Sequence, residues 1–252
     1  MDQVKQGFIV PVFNHGKPAV SVTEKLAAHG LPIILVDDGS NEETKAYLAK
    51  IAAEHPLVVL VTLKKNIGKG GAVKAGIKKA HELGLTHILQ VDADGQHDTG
   101  RAGFFLEESA AHPEAFISGR PEYDSSVPKS RKNGRKVANT WAKIVTLSSN
   151  ITDVLCGFRV YPVEPTWRII QRTFIDNRMG FDVEILVRLY WKRVPIRFCP
   201  VQVTYPEDGL SHFHPLWSNV RISIVFTRLC IGMFIRLPIF IIFVFRNKRD
   251  KK

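Results

Sequence analysis

The sequence predicts an α/β fold, a mostly parallel sheet flanked by helices. Three observations lead there. Short apolar runs rich in β-branched residues recur along the N-terminal part of the chain, the pattern of strands buried on both faces. Segments with helical spacing separate them, and such alternation implies parallel pairing through right-handed crossovers. Each run also stops in a cluster of polar residues or glycine, and in such sheets ligands gather at the carboxyl ends of the strands.

Gly7 to Phe13 (GFIVPVF) is the first strand and breaks at Asn14-His15-Gly16. A short helix over Lys17 to Ala28 follows. Pro32 to Val36 is the second strand, ending in Asp37-Asp38-Gly39-Ser40. Asn41 to His55 has helical spacing with acidic residues in its first turn, where the helix dipole favours them. Leu57 to Leu63 is a third strand, and the glycine-rich turn Asn66 to Gly71 opens a helix running to about Leu83. Beyond Asp98 the pattern loosens. Ala115 to Gly119 reads as a fifth strand, Pro121 to Arg135 as a polar loop, and Val137 to Ser149 as a helix. In that helix Trp141, Ile144, Val145 and Ser148 share a face that is expected to be core. Asp153 to Tyr161 is a loop entering a strand, Phe181 to Lys192 a helix, Ile196 to Tyr205 a last strand, and Pro206 to His214 a loop.

The fourth strand carries the most chemistry. Ile88 to Val91 is apolar, then four oxygen-bearing side chains follow, Asp92, Asp94, Gln96 and Asp98. Side chains alternate along an extended chain, so Asp92, Asp94 and Gln96 can point the same way. Oxygen ligands of this kind suit a hard divalent cation, Mg2+ or Mn2+, and such sites often combine one or two carboxylates with substrate phosphates.

With 252 residues the chain can bury a full core, and 45% apolar with 23% charged residues is a globular composition. Three scattered cysteines, Cys156, Cys199 and Cys230, argue against a disulfide framework or a zinc site and for a reducing compartment. Cys156 reads as a small buried residue rather than a nucleophile. Met1 to Gly7 is polar and runs into a strand, so no secretory signal is expected there. The net charge is +11, but Arg221 to Lys252 holds eight Lys/Arg against one Asp. Those basic residues alternate with large aliphatics, which points to an anionic membrane surface and not to nucleic acid. Arg221, Arg228 and Arg236 recur at helical spacing, the basic face of an interfacial amphipathic helix. Leu237 to Phe245 is nine residues long and begins Leu-Pro, whereas a span needs about 20. The expected division is therefore a catalytic domain over 1–213 and a basic, amphipathic membrane-association segment over 214–252.

Taken together, these motifs resemble the inverting nucleotide-sugar glycosyltransferases of family 2, within them the dolichyl- or polyprenyl-phosphate mannose synthase branch. The likeness runs from about Gly7 to His212. It rests on Pro11-Val12-Phe13-Asn14, Val36-Asp37-Asp38-Gly39-Ser40, Asn66-x-Gly68-Lys69-Gly70, Asp92-Ala93-Asp94-Gly95-Gln96-His97, Ser118-Gly119-Arg120, Asp153-x-x-Cys156-Gly157-Phe158-Arg159 and Phe181-Asp182-x-Glu184. The resemblance implies a GT-A fold, Rossmann-like, with the donor lying over the strand ends. Pro11, Val12, Asn14 and Asp37 or Asp38 would contact base and ribose, with Lys69 and Gly70 near the nucleotide. Asp92, Asp94 and Gln96 would hold the metal, Asp94 most directly, and Arg120, Arg131 and Arg159 would contact phosphate. Two positions depart from the pattern. His15 stands where the family often has Glu, and in the loop where the phosphate-lipid branch has Ser-Lys this chain has Ser211-His212.

The implied reaction is sugar transfer to a lipid or lipid-linked acceptor at the cytoplasmic membrane face, by a peripheral or monotopic enzyme. A cation would stabilise the departing diphosphate as a Lewis acid and template. A hydroxyl acceptor needs a general base, for which Asp182 and Glu184 are the nearest candidates. A lipid phosphate needs none, its second pKa being about 6. Asp153 either orients substrate or is buried against Arg159, and His212 and His214 either touch an acceptor phosphate or line a loop. Two other classes remain open on these residues: a nucleotidyltransferase, and a non-catalytic membrane-binding module that keeps only the fold. The motif Asn14-His15-Gly16 lacks the basic glycine-rich signature expected of the first, and the intact Asp92/Asp94/Gln96 set counts against the second.

Overall fold

The computed structural model describes residues 3–123, 127, 129–203 and 221–237. The chain runs β1 (Gln6–Val12), α1 (Gly16–Ala27), β2 (Ile33–Asp37), α2 (Glu42–Glu54), β3 (Val58–Thr62), α3 (Lys69–Glu82) and β4 (His87–Gln90). It continues through α4 (Ala102–Ala111), β5 (Phe116–Tyr123), α5 (Lys129–Thr146), β6 (Arg159–Pro162), α6 (Val163–Arg172), α7 (Gly180–Trp191) and β7 (Ile196–Val203). A further helix, α8, covers 221–237. Among the described residues the strands form one seven-stranded sheet in the order β3-β2-β1-β4-β6-β5-β7.

Parallel ladders join β1 to β2 and β4, β2 to β3, and β5 to β7, as the alternating pattern predicts. β6 runs antiparallel to both of its neighbours, β4 and β5. That reversal positions the site. It sets the start of β6 beside the end of β4, with Arg159 opposite Gln90, so the loop before β6 lies on the same edge as the loop after β4.

Two apolar layers sandwich the sheet. On one face Phe8, Val10 and Leu35 pack against Val22 and Leu26 of α1, Leu48 of α2 and Phe105 of α4. On the other, Ile9, Ile34 and Ile88 meet α3, α5, α6 and α7. α8 joins this second layer through Val225, Phe226 and Leu229. Each such side chain removed from water contributes roughly 1.5–3 kcal/mol.

Three features differ from the sequence expectation. The segment 121–135 is not mainly loop: β5 runs on to Tyr123 and α5 begins at Lys129. α5 begins eight residues before Val137, and that added stretch, Lys129 to Lys136, carries no large apolar side chain from which helical spacing could be read. α4 and α6 occupy stretches in which no helix was anticipated. On α5, Val145 is buried but Trp141 and Ile144 are more than 40% exposed. α5 is apolar on more than one side, and helical spacing alone does not say which side is covered.

Candidate active site

The ends of β1 and β2 are tied together by side chains that accept backbone N–H groups. Asn14 takes the left-handed conformation (φ 55°), which Asn tolerates better than most residues. Its N–H donates to Ser40 Oγ at 3.1 Å and its Oδ1 accepts from Asn41 N–H at 2.9 Å. Asp37 Oδ1 accepts from Ser40 N–H at 2.9 Å. Its Oδ2 is buried without a partner among the described residues. Asp38 latches the glycine-rich turn, accepting from Asn66 Nδ2, Ile67 N–H and Gly68 N–H at 2.8–3.0 Å. Burial raises the Asp38 carboxyl above its ordinary value even though these donors oppose it. Pro11 and Val12 close β1 on this edge, with Val12 turned into the core.

The latched turn delivers Lys69 as the first residue of α3. Gly68 has φ 101° and lies against Asn177 and Arg178, where a Cβ would come within 2.6 Å of the Asn177 carbonyl oxygen. Gly70 packs on Phe181 so closely that no side chain fits. From this fixed start Lys69 Nζ reaches Asp92 Oδ2 at 2.8 Å and Asp182 Oδ2 at 3.6 Å. Against the cost of burial, Asp182 and Asp92 hold the ammonium protonated well above the usual lysine range. Asp92 is oriented from its other side: Gln90 Nε2 donates to Asp92 Oδ1 at 3.2 Å, and Tyr161 Oη donates to Gln90 Oε1 at 2.9 Å. Burial disfavours the Asp92 carboxylate, but the charge and hydrogen bond of Lys69, together with the Gln90 hydrogen bond and the other cationic neighbours, lower its pKa on balance. Asp94 has the opposite fate. Burial and the Asp92 charge push it up, while its Oδ1 accepts from Gln96 N–H at 3.0 Å.

The remaining candidates sit in ion pairs. Asp182 Oδ1 is 3.4 Å from Arg159 Nη1, which also donates to the Asp182 carbonyl. Arg159 is fully buried and its Nη2 donates to Val154 O, so it holds the floor of the site together instead of facing solvent as a phosphate contact. Glu184, also fully buried, pairs with Arg188 at 2.7 Å and Arg228 at 2.9 Å and accepts from Asp176 N–H. Asp153 is held by Arg135, not Arg159, with both oxygens 2.6 Å from Nη1. Arg120 is half exposed on the same edge and 4.0 Å from Glu122. Arg131 falls in the first turn of α5, with its side chain outside the described residues, as are Ser211, His212 and His214. Cys156 is buried, its thiol pushed up to about 12 by burial and by Asp153.

Sequence reasoning missed Gln90, Arg135, Gly157 and Tyr161. Gly157 had a visible signal: a glycine inside the motif before Arg159. Its backbone abuts the Lys69–Asp92 pair, and a Cβ there would strike the Asp92 carboxylate and come within 2.7 Å of Nζ.

Among the described residues no group of three His, Cys, Asp or Glu stands ready to hold a metal ion. The donors at the β4 tip nevertheless fit one. Asp92, Asp94 and the Gln96 amide all offer oxygen ligands, and Asp94 makes one local hydrogen bond and no ion pair among the described residues.

The model of the family described as glycosyl transferase family 2 matches residues 8–170. A dolichyl-phosphate beta-glucosyltransferase of Dictyostelium discoideum is 29% identical over 201 residues, 76% of this chain. The match spans only 60% of that relative's length. An undecaprenyl-phosphate mannosyltransferase of Micrococcus luteus is 28% identical over 208 residues, covering 81% of this chain and 84% of its own. In three dimensions the chain is similar to glucosyl-3-phosphoglycerate synthase from Mycobacterium tuberculosis, solved with Mn2+, UDP-glucose and phosphoglyceric acid. The TM-score is 0.67 over 90% of this chain and 80% of that one, at 11% identity.

Proposed function

The chain belongs to glycosyl transferase family 2 and has the GT-A fold, and from that premise we propose that it transfers a sugar from a nucleotide diphosphate-sugar to a polyprenyl phosphate at a membrane surface. The observation that carries the choice of acceptor is the state of the three candidate bases. Asp182 is tied to Lys69 and Arg159, Glu184 to Arg188 and Arg228, and Asp153 to Arg135. Carboxylates whose oxygens are already engaged by close cations are not free to take a proton from an acceptor hydroxyl. A hydroxyl acceptor would require one of them to take its proton, whereas a phosphate monoester is already an anion near neutrality. The names of the Dictyostelium and Micrococcus relatives, both acting on phosphate lipids, support the same choice.

In this reading the donor nucleotide lies across the ends of β1 and β2, over the turns that Asn14, Asp37 and Asp38 hold in place. Lys69 and the start of α3 face its diphosphate. Asp92, Asp94 and Gln96 would hold Mg2+ or Mn2+, which supplies Lewis-acid stabilisation of the leaving diphosphate when bound. The presence of Mn2+ in the Mycobacterium tuberculosis enzyme is consistent with that assignment. Arg120, half exposed on the same edge, would contact phosphate. Arg159 keeps Asp182, and through it Lys69, in register.

Docking to a cytoplasmic membrane face is part of the proposal. No helix among the described residues is long and apolar enough to cross a membrane. α8 supports peripheral attachment in a different orientation from the one its arginines imply. Arg228 turns inward to Glu184 and over Phe174, and Arg236 lies over Trp191 with its charge 4.6 Å from the ring centre. The face left outward is largely apolar: Ile224, Ile231, Phe234 and Ile235 are all more than half exposed, with Arg221, Ser223 and Thr227 exposed in its first half. Val137, Trp141 and Ile144 of α5 are exposed as well, with Trp141 stacked 6.0 Å from Phe226. Replacing Ile231, Phe234 and Ile235 by Ser is expected to weaken partition onto anionic vesicles by about a hundredfold without lowering the melting temperature. Unchanged co-sedimentation would remove α8 from the docking surface.

The test of the activity itself is incubation with UDP- and GDP-sugars, Mn2+ or Mg2+ and undecaprenyl phosphate in detergent. Release of nucleoside diphosphate with a glycosylated phosphate lipid is the expected outcome. Release of pyrophosphate would mean nucleotidyl transfer, and turnover only with a hydroxyl lipid would reverse the acceptor assignment.

A further inference from the structure

We propose that Lys69 is the resident counter-cation of the Asp92–Asp94 pair, so that the divalent ion enters tightly only together with the donor's diphosphate. The inference rests on the cation reading of the β4 tip and adds an order of assembly to it.

Geometry comes first. Lys69 Nζ occupies Asp92 Oδ2 at 2.8 Å, Gln90 occupies Oδ1, and the Gly157 backbone closes the space beside the pair. Lys69 cannot leave by a shift of α3, because the helix start is pinned by the Asp38 latch and by the close contacts of Gly68 and Gly70. Only the side chain can swing.

Charge decides where it swings. Asp92, Asp94 and Asp182 face Lys69 and Arg159, leaving the cluster one negative charge in excess. The neighbouring Arg135–Asp153 pair cancels itself. A divalent ion alone would invert the excess to one positive charge in a half-buried site, which opposes its binding. A diphosphate arriving with it restores the balance and gives the Lys69 ammonium a new anionic partner. Removing Lys69 instead leaves two negative charges in excess, matched to a divalent ion with no nucleotide at all.

The experiment is Mn2+ titration followed by the electron paramagnetic resonance signal of the free ion. It uses the full chain and its Lys69→Met and Asp182→Asn variants, each alone and with UDP or GDP. The unaltered protein is expected to bind Mn2+ at least about tenfold more tightly with the nucleotide than without. Lys69→Met is expected to bind Mn2+ alone about tenfold more tightly than the unaltered protein and to lose most of the nucleotide enhancement. Asp182→Asn, which frees Lys69 to neutralise Asp92, shifts Mn2+ affinity the opposite way. The opposed signs matter, since mere damage to the site would weaken both variants. Two weakened variants, or a Lys69→Met protein no tighter than the unaltered one, would overturn the inference while nucleotide-dependent binding upheld the cation reading. Mn2+ bound by no form under any condition would overturn that reading and the inference with it.

Discussion

At the ends of β1 and β2 the acids are held by backbone: Asp37 by the Ser40 N–H, Asp38 by the N–H groups of Ile67 and Gly68. At the ends of β4 and β6 the acids are held by long cationic side chains: Asp92 by Lys69, Asp182 by Arg159, Asp153 by Arg135. The two arrangements do different work. Backbone donors belong to the turns themselves, so the first region is a fixed cradle whose shape does not depend on what binds. Ion pairs respond to any new charge, so the second region is matched to a reaction in which a diphosphate departs and a phosphate arrives. The same sheet edge thus recognises with one half and balances charge with the other.

The contrast breaks most sharply at Asp94. Asp94→Ala is expected to reduce transfer by about a thousandfold with the circular-dichroism spectrum and melting temperature unchanged, because Asp94 makes one local hydrogen bond and no ion pair among the described residues. Robust turnover by that variant would take the cation away from the β4 tip. Gly157→Ala comes next. The added methyl group meets the Asp92 carboxylate and the Lys69 ammonium, and a shift of the pair by about an ångström is expected to cost about a hundredfold in kcat. An alanine variant with full activity would show that the Lys69–Asp92 geometry is not used in turnover.

The first region was legible in the sequence and the second only in outline. Asp37, Asp38, Asn14 and the glycine-rich turn lie where apolar runs stop, and their partners are backbone groups of neighbouring turns, so local pattern suffices. For Asp92 and Asp94 the acids could be read but not their neighbour Lys69, whose place depends on where α3 starts relative to β4. Arg159 was expected at phosphate and is buried because β6 reverses direction, a fact of pairing that no spacing encodes. Asp153 found Arg135 for a comparable reason: the segment carrying Arg135 is helix, not the loop that its polar composition implied. On α8 the arginine periodicity was real, but Arg228 and Arg236 are fastened to Glu184 and Trp191, and the exposed side, Arg221 apart, is largely apolar.

The smallest expected effect lies furthest from the chemistry and tests whether cation-held acids in the second region all serve the reaction. Glu184 is wholly buried and receives Arg188 from its own helix, Arg228 from α8 and the Asp176 N–H. Arg228→Ala leaves a buried carboxylate with two of three partners, a loss of about 2 kcal/mol and less than removal of an only partner would cost. Urea denaturation should show that drop in midpoint with transfer to a short-chain phosphate acceptor unchanged. A drop in transfer with unchanged stability would instead place Glu184 among the reacting groups, and make the α8 arginine part of the machinery that Lys69 and Arg159 form with Asp182, two residues earlier on α7.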